Sequence, residues 1–352
     1  MIRALIAEDS ATTLELLVNM LESDPEIRVV ARAKNGAEAV ALTKTIRPDV
    51  VIMDIHMPVL DGFRATRQIM IESPTPIVIV SATLDVKQVD VSLHALRLGA
   101  LSVLEKPFGP GDANFPETCD RFIETVRAMS AVKVVRRWAT DSSMPPPDPS
   151  VEPRSAPQII AIGASTGGPT ALLRVLSDLP ASLPVPILIV QHMAPGFVAG
   201  LANWLSDGTA LKVKVAEQGE RLENGVAYIA PDDQHLGLLD RRTILVSTSP
   251  ACGGFRPSAT TLFESVARTY ASSAVAVILT GMGDDGCTGL GAVRRAGGRI
   301  IAQDEATSVV FGMPGAAVAA GLPTITLPLD LIGPRLQAWL GPQPTVNRVK
   351  GF

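Results

Sequence analysis

The sequence predicts an α/β protein of two domains, each a largely parallel sheet flanked by helices. Three observations carry that prediction. Short apolar runs alternate with helix-period segments in both halves of the chain. A segment rich in proline and serine and without apolar period, SSMPPPDPSVEPRSAP at 142–157, separates the halves. The length of 352 residues exceeds the ~100–200 residues of an ordinary domain. A surface loop inside one domain is the weaker reading of 142–157, because structureless loops beyond ~12–15 residues are uncommon in compact domains. The expected division is a first domain over 1–125, a helix end and linker over 126–156, and a second domain over 157–345.

In the first half the strand signals are Ile2–Ala7, Arg28–Ala31, Val50–Met53, Ile77–Val80 and Ser102–Leu104. One helix is marked by Leu14, Leu17, Val18 and Leu21, and another follows Asn35-Gly36 with Ala37, Val40 and Ala41. A third carries Val86, Val89, Leu93 and Leu96, with Gly99 as its C-cap. Five strands alternating with helices imply a parallel sheet covered on both faces. A helix ending near Trp138 leads into the linker.

The second half has strand signals at Ile159–Ile162, Pro186–Val190, Lys212–Val215, Ala227–Ala230, Thr243–Val246, Ala274–Leu279 and Arg299–Ala302. Helices are expected after Gly168, Gly196, Pro257, Asp285 and Gly312. The middle strands follow one another closely with no helix between them. A mostly parallel, doubly wound sheet with an antiparallel edge is therefore expected.

Composition narrows the function. With 47% apolar and 19% charged residues, wholesale disorder is excluded. A net charge of −4, from 31 basic against 35 acidic residues, leaves no nucleic-acid footprint. No run approaches the ~18 apolar residues of a membrane span. Glu8 and Asp9 stand where a signal peptide would have its apolar stretch. Cys119, Cys252 and Cys287 are widely spaced and form neither a metal motif nor a disulfide framework. These features together read as a cytoplasmic protein.

Three acids stand at predicted carboxyl ends of strands in the first half. Glu8 and Asp9 follow the first strand, and Asp54 ends the third. In an open parallel sheet that edge forms the binding crevice. Carboxylates crowded there repel one another unless a cation lies between them, and hard oxygen ligands in that number suit Mg²⁺. Ser81 follows the fourth strand and Lys106 the fifth. A carboxylate beside a metal, a lysine and a hydroxyl is a chemically sensible phosphoryl acceptor. Each acid alone would read as a solvated loop carboxylate; five matching positions at strand ends favour the site.

With Glu8-Asp9, MDIHMPVLDG around Asp54, SAT at Ser81 and EKPF at Lys106, about residues 1–125 resemble a response-regulator receiver domain. That resemblance implies a flavodoxin-like fold and phosphorylation of Asp54 by a histidine kinase. It implies Mg²⁺ held by Asp9 and Asp54, with the His56 carbonyl and a water on Glu8, and phosphoryl sensing by Ser81 and Lys106. It also implies a cis peptide at Lys106-Pro107. The His56 side chain is read as solvent-exposed and without chemistry.

In the second half a strand runs directly into Gly163-Ala164-Ser165-Thr166-Gly167-Gly168-Pro169, and a helix follows. Small residues around a serine permit a tight turn that exposes its hydroxyl, and G-x-S-x-G is formally satisfied. The helix N-terminus offers free N–H groups for an oxyanion. A nucleotide-phosphate cradle and a plain N-cap at Ser165 compete with the nucleophile reading, although the spacing is not G-x-G-x-x-G. A base is what separates them. Of His56, His94, His192 and His235, His192 emerges at the same sheet edge as Ser165, while His235 lies beyond another strand and is weaker. Asp284 and Asp285 follow a further strand in a glycine-rich turn. Either serves as the orienting acid on spacing alone, and either could instead cap the next helix.

The stretches AIGASTGGP, QHMAPGF, AYIAP, RPS at 256–258, ILTGMGDDG and QDEATSVVFGMP make about residues 157–340 resemble the catalytic domain of the CheB family of chemotaxis protein-glutamate methylesterases. Receiver, linker and esterase in that order is that family's architecture. The resemblance implies Ser165 as nucleophile, His192 as base, Asp285 as the acid, and Thr166 and Met282 in the oxyanion and substrate surroundings. It implies hydrolysis of glutamyl methyl esters, and deamidation of glutamine, on chemoreceptors, with no cofactor for the esterase chemistry. It suggests an unphosphorylated receiver that blocks the esterase. The alternative is a receiver-controlled binding protein without catalysis. Two departures from the family pattern are Asp232-Asp233 before His235 and Ala259-Thr260 after RPS.

Overall fold

The computed structural model describes residues 1–81, 100, 102–107, 109, 111, 115–132 and 156–341. The expected helix through Val86 and Leu96, its cap Gly99, His94, the helix end at Trp138 and residues 142–155 of the proline-rich segment lie outside the described residues. The chain forms two compact units, the first holding β1–β5 and the second β6–β14.

The first unit contains β1 (Ile2–Ala7), α1 (Ala11–Glu22), β2 (Ile27–Ala33), α2 (Gly36–Ile46), β3 (Val50–Asp54), α3 (Gly62–Glu72), β4 (Ile77–Ser81), β5 (Ser102–Glu105) and α4 (Phe115–Ser130). The strands pair in parallel in the order β2-β1-β3-β4-β5. This is the flavodoxin-like order, whose direction of winding reverses between β1 and β3. The strands VVIMD and IVIVS are buried along their whole length, which is why they read as continuous rather than alternating apolar runs. The second helix starts through a reciprocal cap: Asn35 Oδ1 accepts from the Glu38 amide at 2.9 Å, and Asn35 Nδ2 donates to Glu38 Oε1 at 2.9 Å. Helix α3 escaped the sequence reading because its inward face is Gly62, Ala65, Thr66 and Ile69, too small and polar to show an apolar period.

The second unit contains β6 (Ile159–Ala164), α5 (Gly168–Ser177), β7 (Ile187–Gln191), α6 (Val198–Gly208), β8 (Lys212–Val215), β9 (Val226–Ile229), β10 (His235–Leu238), β11 (Ile244–Ser247), α7 (Ala259–Tyr270), β12 (Ala274–Ile278), α8 (Cys287–Arg295), β13 (Arg299–Gln303), α9 (Met313–Ala319), β14 (Ile325–Leu327) and α10 (Leu329–Leu340). Seven strands form one sheet in the order β14-β13-β12-β6-β7-β9-β8, and every pairing in it is parallel. The mostly parallel sheet is as expected, but its antiparallel edge is corrected. The antiparallel pair is a separate ribbon of β10 and β11. The tight turn between them, closed by Leu239 N to Thr243 O at 3.0 Å, allows only a hairpin. Residues 216–225 instead return the chain to the start of β9, so β8 and β9 pair in parallel. Leu236, Leu238 and Ile244 of the ribbon are buried in one cluster with Leu262, Phe263 and Val266 of α7. Burial of side chains of that size stabilises by roughly 1.5–3 kcal/mol each.

Candidate active site

Strand β6 lies between β7 and β12, so the segments leaving these three strands at their carboxyl ends are neighbours. Ser165 follows β6, His192 follows β7, and Asp285 lies in the turn beyond β12. Backbone bonds stitch the ends together: the Ser165 amide donates to Thr280 O at 3.0 Å and the His192 amide to Ala164 O at 2.9 Å. The approach is close enough to require glycine at 281, where a Cβ would come within 2.7 Å of Ser165 Cβ and 2.3 Å of Met313 Sδ. Helix α5 opens at Gly167, held at φ 76°, with no side-chain cap on its first amides. Of its first two residues, Gly168 donates its amide to Ser165 O at 2.8 Å and Pro169 has no N–H.

His192 Nε2 and Asp285 Oδ2 are 2.9 Å apart, with side chains 10% and 3% exposed. Asp284, the other acid left open by spacing, is exposed. The Asp285 carboxylate sits against the first turn of α7. It accepts from Ser258 Oγ at 2.7 Å, from the Ala259 and Thr260 amides at 2.7 and 3.1 Å, and from the Gly286 amide at 2.9 Å. Burial by itself would raise its pKa, but His192, Ser258 and the Ala259 amide outweigh it and hold the carboxyl down at about 2. Ionised, the carboxylate only accepts, so the imidazole carries its proton on Nε2. Nδ1 is buried and has no hydrogen-bond partner among the described residues. Among the described residues no hydrogen bond joins that nitrogen to Ser165.

Residues missed in the sequence complete the surroundings. Gln191, 2% exposed, donates from Nε2 to Ser165 O and to His192 O, both at 2.8 Å. One amide thus holds the backbones of Ser165 and His192 together; a buried glutamine ending an apolar strand was its only signal. The Phe255 ring stacks on the His192 ring with centroids 4.3 Å apart and planes at 4°. Ala259-Thr260, a departure from the family pattern, supplies two amides to Asp285, and Thr260 Oγ1 accepts from the Gly286 amide at 2.8 Å. Thr166 and Met282 are half-buried next to Ser165 and Gly281 in sequence, and Thr166 O accepts from Thr280 Oγ1 at 2.9 Å.

The first unit brings its acids together as well. One carboxylate oxygen each from Glu8, Asp9 and Asp54 lies within 4.8 Å of the others, with Glu8 and Asp54 buried and Asp9 exposed. Lys106 Nζ stands 2.7 Å from Glu8 Oε2 and 3.0 Å from Asp54 Oδ1. Burial and the Asp54 charge push the Glu8 carboxyl above its ordinary range, against the pull of Lys106. Burial also works against the Lys106 ammonium, and its bonds to Glu8 and Asp54 raise it nonetheless. Two buried carboxylates and a third at the rim, all oxygen donors, fit a hard divalent cation. Ser81 is buried at the end of β4, and its carbonyl accepts from the Lys106 amide at 2.9 Å. Gly62 is compulsory here, since a Cβ would lie 2.0 Å from Asp54 O. His56 is exposed, as expected. Among the described residues the cis peptide bond is Arg256–Pro257, so the expectation for Lys106–Pro107 is corrected.

Residues 160–336 match the CheB methylesterase family, and residues 4–113 match the response regulator receiver domain. The chain belongs to the CheB methylesterase family. Within it, a protein-glutamate methylesterase/protein-glutamine glutaminase of Anaeromyxobacter dehalogenans is 50% identical over 97% of this chain and 99% of its own. One from Myxococcus xanthus is 51% identical over 95% and 96%. The crystal structure of the Thermotoga maritima CheB methylesterase catalytic domain is 40% identical, with a TM-score of 0.50, covering 52% of this chain and 98% of that one. The receiver and the CheB catalytic domain read from the sequence are thus both present, in a chain that spans nearly the full length of these relatives.

Proposed function

We propose that this CheB-family enzyme hydrolyses γ-methyl esters of glutamate side chains on chemoreceptors, with release of methanol, and deamidates glutamine at such sites. The observation that carries the reading is the His192–Asp285 pair, with the acid held ionised and the His192 backbone bonded to Ala164, the residue before Ser165. Ser165 Oγ attacks the ester carbonyl while His192 Nδ1 takes its proton. The oxyanion is met by backbone amides of the turn that follows Ser165, with Thr166 and Met282 lining the substrate. His192 then returns the proton to the departing methoxide, and water releases glutamate by the reverse sequence. For glutamine the leaving group is ammonia. Asp285 keeps the imidazole in the Nε2–H tautomer and stabilises the imidazolium. The test is methanol release from methylated receptor: Ser165→Ala abolishes it, and undiminished release would refute the assignment. A binding protein without catalysis is disfavoured by the same pair and by the curated relatives' activity.

The first unit regulates this chemistry in the same proposal. Asp54 accepts a phosphoryl group from a histidine kinase in the cytoplasm. Glu8, Asp9 and Asp54, with the His56 carbonyl, would hold Mg²⁺. The bound ion neutralises charge on the transferring group. Ser81 and Lys106 contact the phosphoryl oxygens, and Lys106 gives up one of its two carboxylate partners to do so. The linker lets the phosphorylated receiver release an esterase that it otherwise blocks. No helix among the described residues is long and apolar enough to cross a membrane.

A further inference from the structure

His235 opens β10 and is 3% exposed. Its Nδ1 stands 3.3 Å from the Ser258 amide nitrogen and its Nε2 3.1 Å from the Pro250 carbonyl. An amide N–H only donates and a carbonyl only accepts. Both contacts are satisfied together only by the neutral imidazole protonated on Nε2. The two partners are the two ends of one loop, Pro250–Ser258.

Other contacts shape the middle of that loop. Gly253 and Gly254 take φ values of 60° and 84°, and a Cβ on either would meet nothing within 4 Å. A small turn pairs Cys252 with Phe255. Arg256 forms a bidentate pair with Asp233, at 2.8 and 2.8 Å, and donates from Nη1 to Thr248 O and Ser249 O at 3.2 and 3.3 Å. Phe255 lies face to face with His192, and Ser258 donates to Asp285. The loop therefore touches the base at one point and the acid at another.

We propose that His235 is a positioning residue of the esterase: as a neutral imidazole it clasps both ends of the Pro250–Ser258 loop, and so holds Phe255 against the base and Ser258 against the acid. Without the clasp, Phe255 leaves the His192 face and the Ser258 hydroxyl leaves Asp285. The imidazole then loses the support on its face and the carboxylate one of its anchors. Misplacement on the scale of 1 Å at a catalytic group lowers the rate by about 10²-fold. The proposal rests on Ser165, His192 and Asp285 being the catalytic set.

The test uses the full-length, phosphodonor-treated protein and methanol release from methylated receptor. His235→Ala is expected to lower kcat by roughly 10–100-fold with KM changed little, since the clasp lies behind the reacting groups. His235→Asn, which returns an acceptor near the Nδ1 position, is expected to recover much of the loss. In ¹⁵N spectra of the wild-type protein at the assay pH, His235 should be the neutral Nε2–H tautomer. A folded His235→Ala with wild-type kcat overturns the proposal, as does a spectrum showing imidazolium or the Nδ1–H tautomer. Should His235→Ala not fold, the spectrum decides. Ser165→Ala is run alongside. If it stays active, the catalytic assignment fails and the clasp with it; if it is inactive beside a fully active His235→Ala, the clasp alone fails.

Discussion

At the scale of single residues, Asp285 ties chemistry to stability. Its carboxyl is held at about 2 in the folded protein, below its ordinary value of 3.8. A depressed carboxylate favours the folded state above the unfolded value, and that contribution fades as pH falls from about 4 toward about 2. Its full size is on the order of 2 kcal/mol. Acid unfolding followed by circular dichroism should therefore begin at higher pH in native protein than the remaining ionisable groups dictate, and Asp285→Asn should flatten that limb. The same substitution removes the charge that fixes the Nε2–H tautomer, so kcat for ester hydrolysis should fall by roughly 10³–10⁴-fold with the fold retained. Gln191→Met removes the side-chain donor to the Ser165 and His192 carbonyls, of which Ser165 O keeps the Gly168 amide. A loss of about 1–3 kcal/mol in thermal or denaturant unfolding is expected, with kcat falling as nucleophile and base lose their common tie.

At the scale of elements, strand ends and helix starts build both sites. Ser258 caps α7 and also donates to Asp285. Ser258→Ala should cost about 1 kcal/mol in stability through the cap and should lower kcat as well, measured on one purified sample. Gly62→Ala should be more severe, because the added carbon strikes the carbonyl of Asp54. Unfolding of the first unit at lower denaturant, with slower phosphorylation of Asp54, is the expected outcome. Elements were legible where their periodicity was strong, as in β1, β6 and α1. Strand β14 has three residues and α10 carries Pro334 inside it, so length and a helix-breaking residue hid them. Ribbon β10–β11 was half seen. Thr243–Val246 read as a strand, and its partner HLGL, buried throughout but short and opened by a histidine, did not.

At the scale of the whole molecule, two reactive centres share one chain, and each is open to test through the other. Asp54→Asn should abolish the response of methanol release to a phosphodonor while leaving basal release, and removal of Mg²⁺ with a chelator should prevent phosphorylation of the native protein. A fragment spanning 157–352 should exceed the unphosphorylated full-length chain in activity. A fragment no more active would count against inhibition by the receiver.

The sequence by itself determined the fold class of both units, the acids of the first site, and the strand-end placement of Ser165 and His192. It could do so because apolar periodicity is local, and because parallel sheets bring functional groups to the carboxyl ends of strands whatever the details. Tertiary structure decided what periodicity cannot reach. Asp285 rather than Asp284 meets His192, because that turn aims one carboxylate into the N-terminus of α7 and leaves its neighbour in solvent. Gln191, Phe255, Ser258 and His235 join the site through contacts between residues from 23 to 63 positions apart in the chain. Such contacts exist only once the sheet order has placed β6 between β7 and β12.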